Sequence, residues 1–237
     1  MHNCIYTYIT KLFSARLISI YVLLTSTLAC SQPDSQVQKV LILGNSITVH
    51  GSSPSIGWYG DWGMAASAQA KDFVHVLKDS IRNKRSEANI SYFNIANSFE
   101  KVFWKMDTTQ FREMRQLSPD LIILKIGENI DKNLAIKNSL ALHLELLVDF
   151  IAGDKRTKVC LVGSFWPNPE VDNIFHTVCQ KNGWSYVDLN GIYENQSENT
   201  AINIYTNPQV GKHPSDKGMQ LIADRIWKGI GFFLSRN

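Results

Sequence analysis

The sequence predicts a three-layer α/β/α sandwich on a mainly parallel sheet of about five strands. Three observations lead there. Short apolar runs such as Val40-Leu41-Ile42-Leu43 and Leu121-Ile122-Ile123-Leu124 stop at polar, glycine-containing turns, as fully buried strands do. Segments with helical spacing of apolar residues separate them, and alternation of this kind builds a parallel sheet covered on both faces. No internal repeat or composition break marks a second domain.

In order, Lys39–Gly44 reads as the first strand. Gly51–Gly60 is loop, broken by glycines, serines and Pro54. Asp61 is placed to cap a helix carrying Met64, Phe73, Val74 and Leu77. Ile90–Ile95, with Tyr92 and Phe93, suits a second strand. Phe99–Leu117 has a helical pattern that Asp107-Thr108-Thr109 interrupts. After the third strand, Leu121–Leu124, one long helix is expected over Asn133–Ala152. Its Ile136, Leu140, Leu144, Leu147 and Ile151 face inward, and Gly153 stops it. Val159–Val162 is a fourth strand, Glu170–Lys181 a helix ended by Gly183, and Trp184–Leu189 a short fifth strand. The closing helix runs from about Ser215 to Leu234, with Trp104 and Trp227 as core residues on helices.

The chain of 237 residues opens with the marks of an export signal over residues 1–30. Lys11 and Arg16 precede a short apolar run, Leu17–Leu24, too short for a comfortable membrane span. Leu28-Ala29-Cys30 resembles a bacterial lipobox, although Thr27 stands where an aliphatic residue is usual. This implies a lipoprotein signal, lipidation of Cys30 and anchoring to a bacterial envelope membrane. Residues 31–38, polar and containing Pro33, would be a tether, leaving 39–237 as the folded domain. Cys160 and Cys179 could pair in an exported protein, or remain as two buried thiols.

A hydrophobic content of 44% and a net charge of +3 describe a globular domain. There is no basic stripe with interleaved aromatics, so nucleic acid is not a predicted partner. No ligand cluster has metal spacing, and no cofactor is implied.

In a parallel sheet the strands' carboxyl ends share one edge, where such folds bind ligands. Gly44-Asn45-Ser46 and Gly127-Glu128-Asn129 both follow strands. His213-Pro214, in the loop before the closing helix, can reach the same edge. A hydroxyl, an imidazole and an amide are the parts ester hydrolysis needs: a nucleophile, its base and a donor to the developing oxyanion. These three stretches resemble the blocks of the SGNH, or GDSL-type, hydrolases. Gly44-Asn45-Ser46-Ile47-Thr48 is similar to the first block, with Asn45 where Asp is commoner. Gly127-Glu128-Asn129 is similar to the third, and His213-Pro214 with Gly218 to the last. The resemblance implies a flavodoxin-like three-layer fold and three roles: Ser46 as nucleophile and oxyanion donor, Asn129 as oxyanion donor, His213 as base.

Two departures stand out. The family's acid usually lies three residues before the histidine, where this chain has Val210; Asp216 follows His213 instead, where it suits a helix N-terminus. Either a Ser–His dyad operates with a backbone carbonyl orienting the imidazole, or an acid comes from elsewhere, Glu128 and Asp131 being nearest. The second-block glycine is also missing, and Asn97 is the candidate for its backbone donor. Asn45, His50, Trp58, Trp62 and Trp166 are candidates to contact substrate. The export signal and loop tryptophans favour a carbohydrate O-acetyl esterase. A lipid or small-ester acylhydrolase and a non-catalytic carbohydrate-binding relative are the rivals.

Overall fold

A computed structural model describes residues 37–153 and 156–235. The leader, Cys30 and nearly all of the tether fall outside these. The described chain folds around a five-stranded parallel sheet in the order β2-β1-β3-β4-β5. The strands are β1 Lys39–Gly44, β2 Asn89–Asn94, β3 Leu121–Lys125, β4 Lys158–Val162 and β5 Ser185–Val187. The three-layer class follows directly from their composition. Leu41 and Leu43 turn to one face, and Val40 and Ile42 to the other, all essentially inaccessible. A strand apolar on both faces needs a layer of helices on each.

Helix α1, Phe73–Lys84, helps to cover the first face with Phe73, Val74, Leu77 and Ile81. The prediction began this helix at Asp61. Instead Asp72 caps it, its carboxylate accepting the His75 N–H at 2.8 Å, and Met64, Ala65 and Ala66 lie in the preceding loop. The single helix expected over Phe99–Leu117 is a series of short turns ending in α2, Arg112–Gln116. Phe99, Phe103 and Phe111 are nonetheless fully buried under the second face.

The long helix expected over Asn133–Ala152 is two: α3, Lys132–Lys137, and α4, Leu140–Ala152. Ser139 between them has a left-handed φ of 52°, which breaks the register. Leu140, Leu144, Leu147 and Ile151 face inward as expected, but Ile136, beyond the break, is 67% exposed. Helix α5, Pro169–Asn182, ends on Gly183. Two short turns follow, α6 Gln196–Asn199 and α7 Pro208–Gly211. The closing helix α8 spans Asp216–Ile230 and packs Met219, Ile222, Ala223, Ile226 and Ile230 onto the first face. Its continuation to Leu234 is a 3₁₀ turn. Trp104 and Trp227 are half-buried against the two cores. Cys160 and Cys179 are buried free thiols; burial pushes both up to about 12.

The register aligns the strand ends. Gly44 pairs with Asn94 on one side and Lys125 on the other, and Lys125 pairs with Val162. Loops leaving β1, β2, β3 and β4 therefore emerge in one row. The chain winds from β1 outward to β2, then returns past β1 to β3. The topological switch point, where open α/β sheets form their binding crevice, lies between β1 and β3.

Candidate active site

Ser46 sits two residues beyond β1, at that switch point. Its loop is pinned from several sides. The Met64 N–H donates to the Ser46 carbonyl at 2.8 Å, and the Asn45 side-chain oxygen accepts the Ile47 N–H at 3.0 Å. No acceptor among the described residues takes the backbone N–H of Ser46.

His213 arrives from the other end of the sequence, 167 residues away, and its Nε2 lies 2.8 Å from Ser46 Oγ. Its placement is local. Asn207 caps α7, and the His213 N–H donates to the Val210 carbonyl at 2.9 Å. Ser215 then starts α8 and donates to the Glu198 carbonyl at 2.6 Å. Helix α8 fits there because residue 218 is glycine: a Cβ would come within 2.1 Å of the Asn199 carbonyl oxygen. His213 is only 6% exposed. Burial first, and the neighbouring His50, lower its pKa to about 4. The carbonyls of Gln209 and Val210 and the Glu128 carboxylate pull the other way. An imidazole that stays neutral beside a serine hydroxyl can take its proton.

Among the described residues, no acid orients this imidazole. Its Nδ1 is buried without a hydrogen-bond partner there. Val210 occupies the expected acid position and is itself fully buried. Asp131 caps α3, accepting two backbone N–H groups, and Asp216 accepts the N–H and hydroxyl of Ser67. Glu128 pairs with Lys125, both side chains fully buried. The placement is that of a Ser–His pair with the Gln209 and Val210 carbonyls near the ring, neither of them in hydrogen-bond geometry with Nδ1.

Asn129, beyond β3, lines the same cleft of about 630 Å³ as Ser46 and His213. Gly127 turns the chain there at φ +126°, a conformation that favours glycine, and a Cβ would meet Ser164 Oγ at 2.5 Å. Asn97 and His50 also line the cleft. The Asn97 backbone N–H has no acceptor among the described residues, whereas that of Ala96 is taken by the Asn94 side chain at 3.0 Å.

Four sequence candidates for substrate contact lie elsewhere. Asn45 is fully buried below the cleft floor, where its amide donates to Glu100 at 3.2 Å and to Glu128 at 2.6 Å. Trp58 is buried against Trp62 and Tyr205, and its indole N–H props the His50 carbonyl at 3.0 Å. The Trp62 indole donates to Ala66. Flanking apolar loop residues draw both rings into a small core of their own. Trp166 packs edge-on against the His213 ring with centroids 5.0 Å apart, and its indole donates to the Lys212 carbonyl. It lines a shallow hollow with Tyr193, Pro208 and Lys212, which meets the cleft at Gln209.

The sequence reading missed Glu100. It lies in the turn after β2, is 1% exposed, and accepts from three other residues of the site region. The available signal was a lone acid in an apolar stretch, Phe99-Glu100-Lys101-Val102-Phe103. Lys125, ending an otherwise apolar strand, was the matching sign for Glu128.

Comparison with solved structures supports this topology. A two-domain esterase active on acetylated mannans matches with TM-score 0.59 at 16% identity, over 86% of this chain and 51% of that one. The structure of TesA matches at 0.50 and 15% identity, over 83% and 99%. A GDSL-like lipase candidate from Bacteroides uniformis matches at 0.51 and 16%, over 83% and 96%. The chain has the SGNH-hydrolase fold. It spans about half the length of the mannan esterase. No family model and no curated protein matches the sequence. Within this SGNH-type fold, Ser46, Asn129 and His213 come together at the switch-point crevice.

Proposed function

We propose that the protein is a serine esterase that hydrolyses carboxylic esters through an acyl-enzyme on Ser46. The observation that carries this is the 2.8 Å approach of Ser46 Oγ to His213 Nε2 in a cleft that also holds Asn129. Oγ attacks the ester carbonyl as its proton passes to Nε2. The oxyanion of the tetrahedral intermediate receives hydrogen bonds from the Ser46 N–H, the Asn129 amide and the Asn97 N–H. Collapse expels the alcohol, which takes the proton from the imidazolium. Water then attacks the acyl-enzyme, His213 accepts its proton and returns it to Ser46, and the acid leaves. With no carboxylate on Nδ1 among the described residues, the imidazolium is favoured only by the Gln209 and Val210 carbonyls and the more distant Glu128, so turnover is slower than with an orienting acid.

The acyl group is small, and the alcohol is a carbohydrate. The lining supports this: His50, Asn94, Asn97, Lys101, Gln110 and Gln209 leave only Ile56, Met64 and Ala96 as apolar surface for a chain. The mannan esterase of the same fold, and the aromatic hollow at Trp166, point the same way. Export and a lipid anchor at Cys30 complete the reading, on the strength of the leader.

The test is hydrolysis of p-nitrophenyl acetate against a long-chain ester by wild type and Ser46→Ala. The expected result is a preference for acetate, lost at least ~10³-fold in Ser46→Ala. Preference for the long chain would move the substrate class to lipids. Absence of Ser46-dependent turnover would leave a binding protein.

A further inference from the structure

Beneath the cleft lies a buried polar network that the reaction above does not use. Two carboxylates, Glu100 and Glu128, stand on either side of the Asn45 amide, which donates to both. Glu128 is neutralised by Lys125 and accepts the Phe165 N–H at 2.7 Å. Among the described residues no cation pairs with Glu100; its hydrogen bonds all come from N–H groups. Its Oε1 accepts from the Gly127 backbone at 2.6 Å, from Asn45 Nδ2 at 3.2 Å and, more weakly, from the Asn129 backbone at 3.4 Å. Its Oε2 accepts from Asn129 Nδ2 at 2.8 Å.

We propose that Glu100 is a positioning residue that holds the Asn129 side-chain amide with its second N–H toward the oxyanion. This rests on the esterase reading. An amide nitrogen carries two protons. With one bound to Oε2, the plane of the amide is set and the other proton is left for the cleft. A carboxylate can only accept, so it selects the amide nitrogen over the amide oxygen. Preorganised donors of this kind act because they need not reorient as charge develops.

Asn45 belongs to the same device. An aspartate there would be a third acceptor facing two carboxylates, of which only Glu128 is paired with a lysine. The asparagine supplies a donor to each and keeps Glu100 in place.

The geometry makes an isosteric change informative. In Glu100→Gln, one oxygen becomes NH₂. The Gly127 N–H is backbone in a constrained turn and cannot rotate away, so the remaining carbonyl must face it. The NH₂ then faces Asn129 Nδ2, donor against donor. Asn129 relieves this by flipping, which turns its oxygen to the introduced NH₂ and takes its nitrogen from the oxyanion.

The experiment is steady-state hydrolysis of p-nitrophenyl acetate by the wild type, Ser46→Ala, Glu100→Gln, Asn129→Ala and the Glu100→Gln/Asn129→Ala double variant. The expected result for Glu100→Gln is a fall of roughly 10–100-fold in kcat with KM within about twofold. The double variant should be no slower than Asn129→Ala alone. A wild-type kcat in Glu100→Gln, or an additive loss in the double variant, overturns the proposal. Should Glu100→Gln fail to fold, Glu100→Asp carries the test. It keeps the charge but withdraws the oxygens from Asn129, and the same fall in kcat is expected; a wild-type kcat overturns the proposal. Wild type without Ser46-dependent turnover overturns the esterase reading and this inference with it. An active wild type with an equally active Glu100→Gln overturns the inference alone.

Discussion

His213 holds its place through burial and local backbone, with no carboxylate among the described residues bonded to its ring. Burial disfavours its charged form, and its lowered pKa leaves it neutral well below the range of an exposed histidine. The sign follows for activity. A base must be unprotonated, so kcat/KM, which reports the free enzyme, should hold as pH falls through 6.5 and decline toward pH 4. An acid limb at or above pH 6.5 in a pH–rate profile would contradict this placement. Glu100 is shifted in the opposite sense. Burial and the Glu128 carboxylate raise its pKa, while the donors from Asn129, Gly127 and Asn45 oppose them. The three donors thus favour the ionised form of a carboxylate whose surroundings disfavour it.

At the scale of elements, what brings residue 213 to residue 46 is the seating of α8. The helix is apolar along one side, and Ser215 at its N-cap is tied to the Glu198 carbonyl. Gly218 lets the first turn lie directly on the chain at Asn199. Gly218→Ala puts a methyl group into that contact. The helix must shift, at a cost of ~1–3 kcal/mol, and His213 shifts with it. Thermal unfolding should show a lowered Tm, and ester hydrolysis should weaken beyond what unfolding at the assay temperature explains. The break between α3 and α4 shows the same dependence on seating. Apolar spacing runs unbroken from Ile136 to Ile151, yet Ser139 adopts a left-handed conformation, so that α3 buries Ala135 and leaves Ile136 in solvent while α4 keeps the expected inward side.

At the scale of the whole molecule, a sheet buried on both sides presents its strand ends as one working edge. On the lipid-anchor reading proposed above, residues 31–36 would be the tether, because Val37 is buried in the core and Gln38 is already hydrogen-bonded to Asn89 and Asp120. Radiolabelled palmitate should enter the full-length chain expressed in a bacterium and be lost in Cys30→Ala; equal labelling of both would remove Cys30 as the anchor. The strands, the three-layer class and the grouping of Ser46, Asn129 and His213 were legible in the sequence. Short apolar runs, their polar stops and three separated motifs are local signals, and parallel strands bring such stops to one edge whatever the intervening chain does. The partners of the motifs were not legible. Asn45 faces down and not toward substrate, Trp58 and Trp62 enter a core of their own, and Glu100 joins the site from a turn after β2. Each outcome depends on which side chains from distant segments meet, and a buried carboxylate or amide is defined by its neighbours across the fold, not along the chain. By itself the sequence determined the layers and the edge. Only the tertiary structure decided that His213 meets Ser46 on that edge with no carboxylate on its ring among the described residues, above two buried carboxylates, because burial and hydrogen-bond satisfaction are properties of the packed molecule.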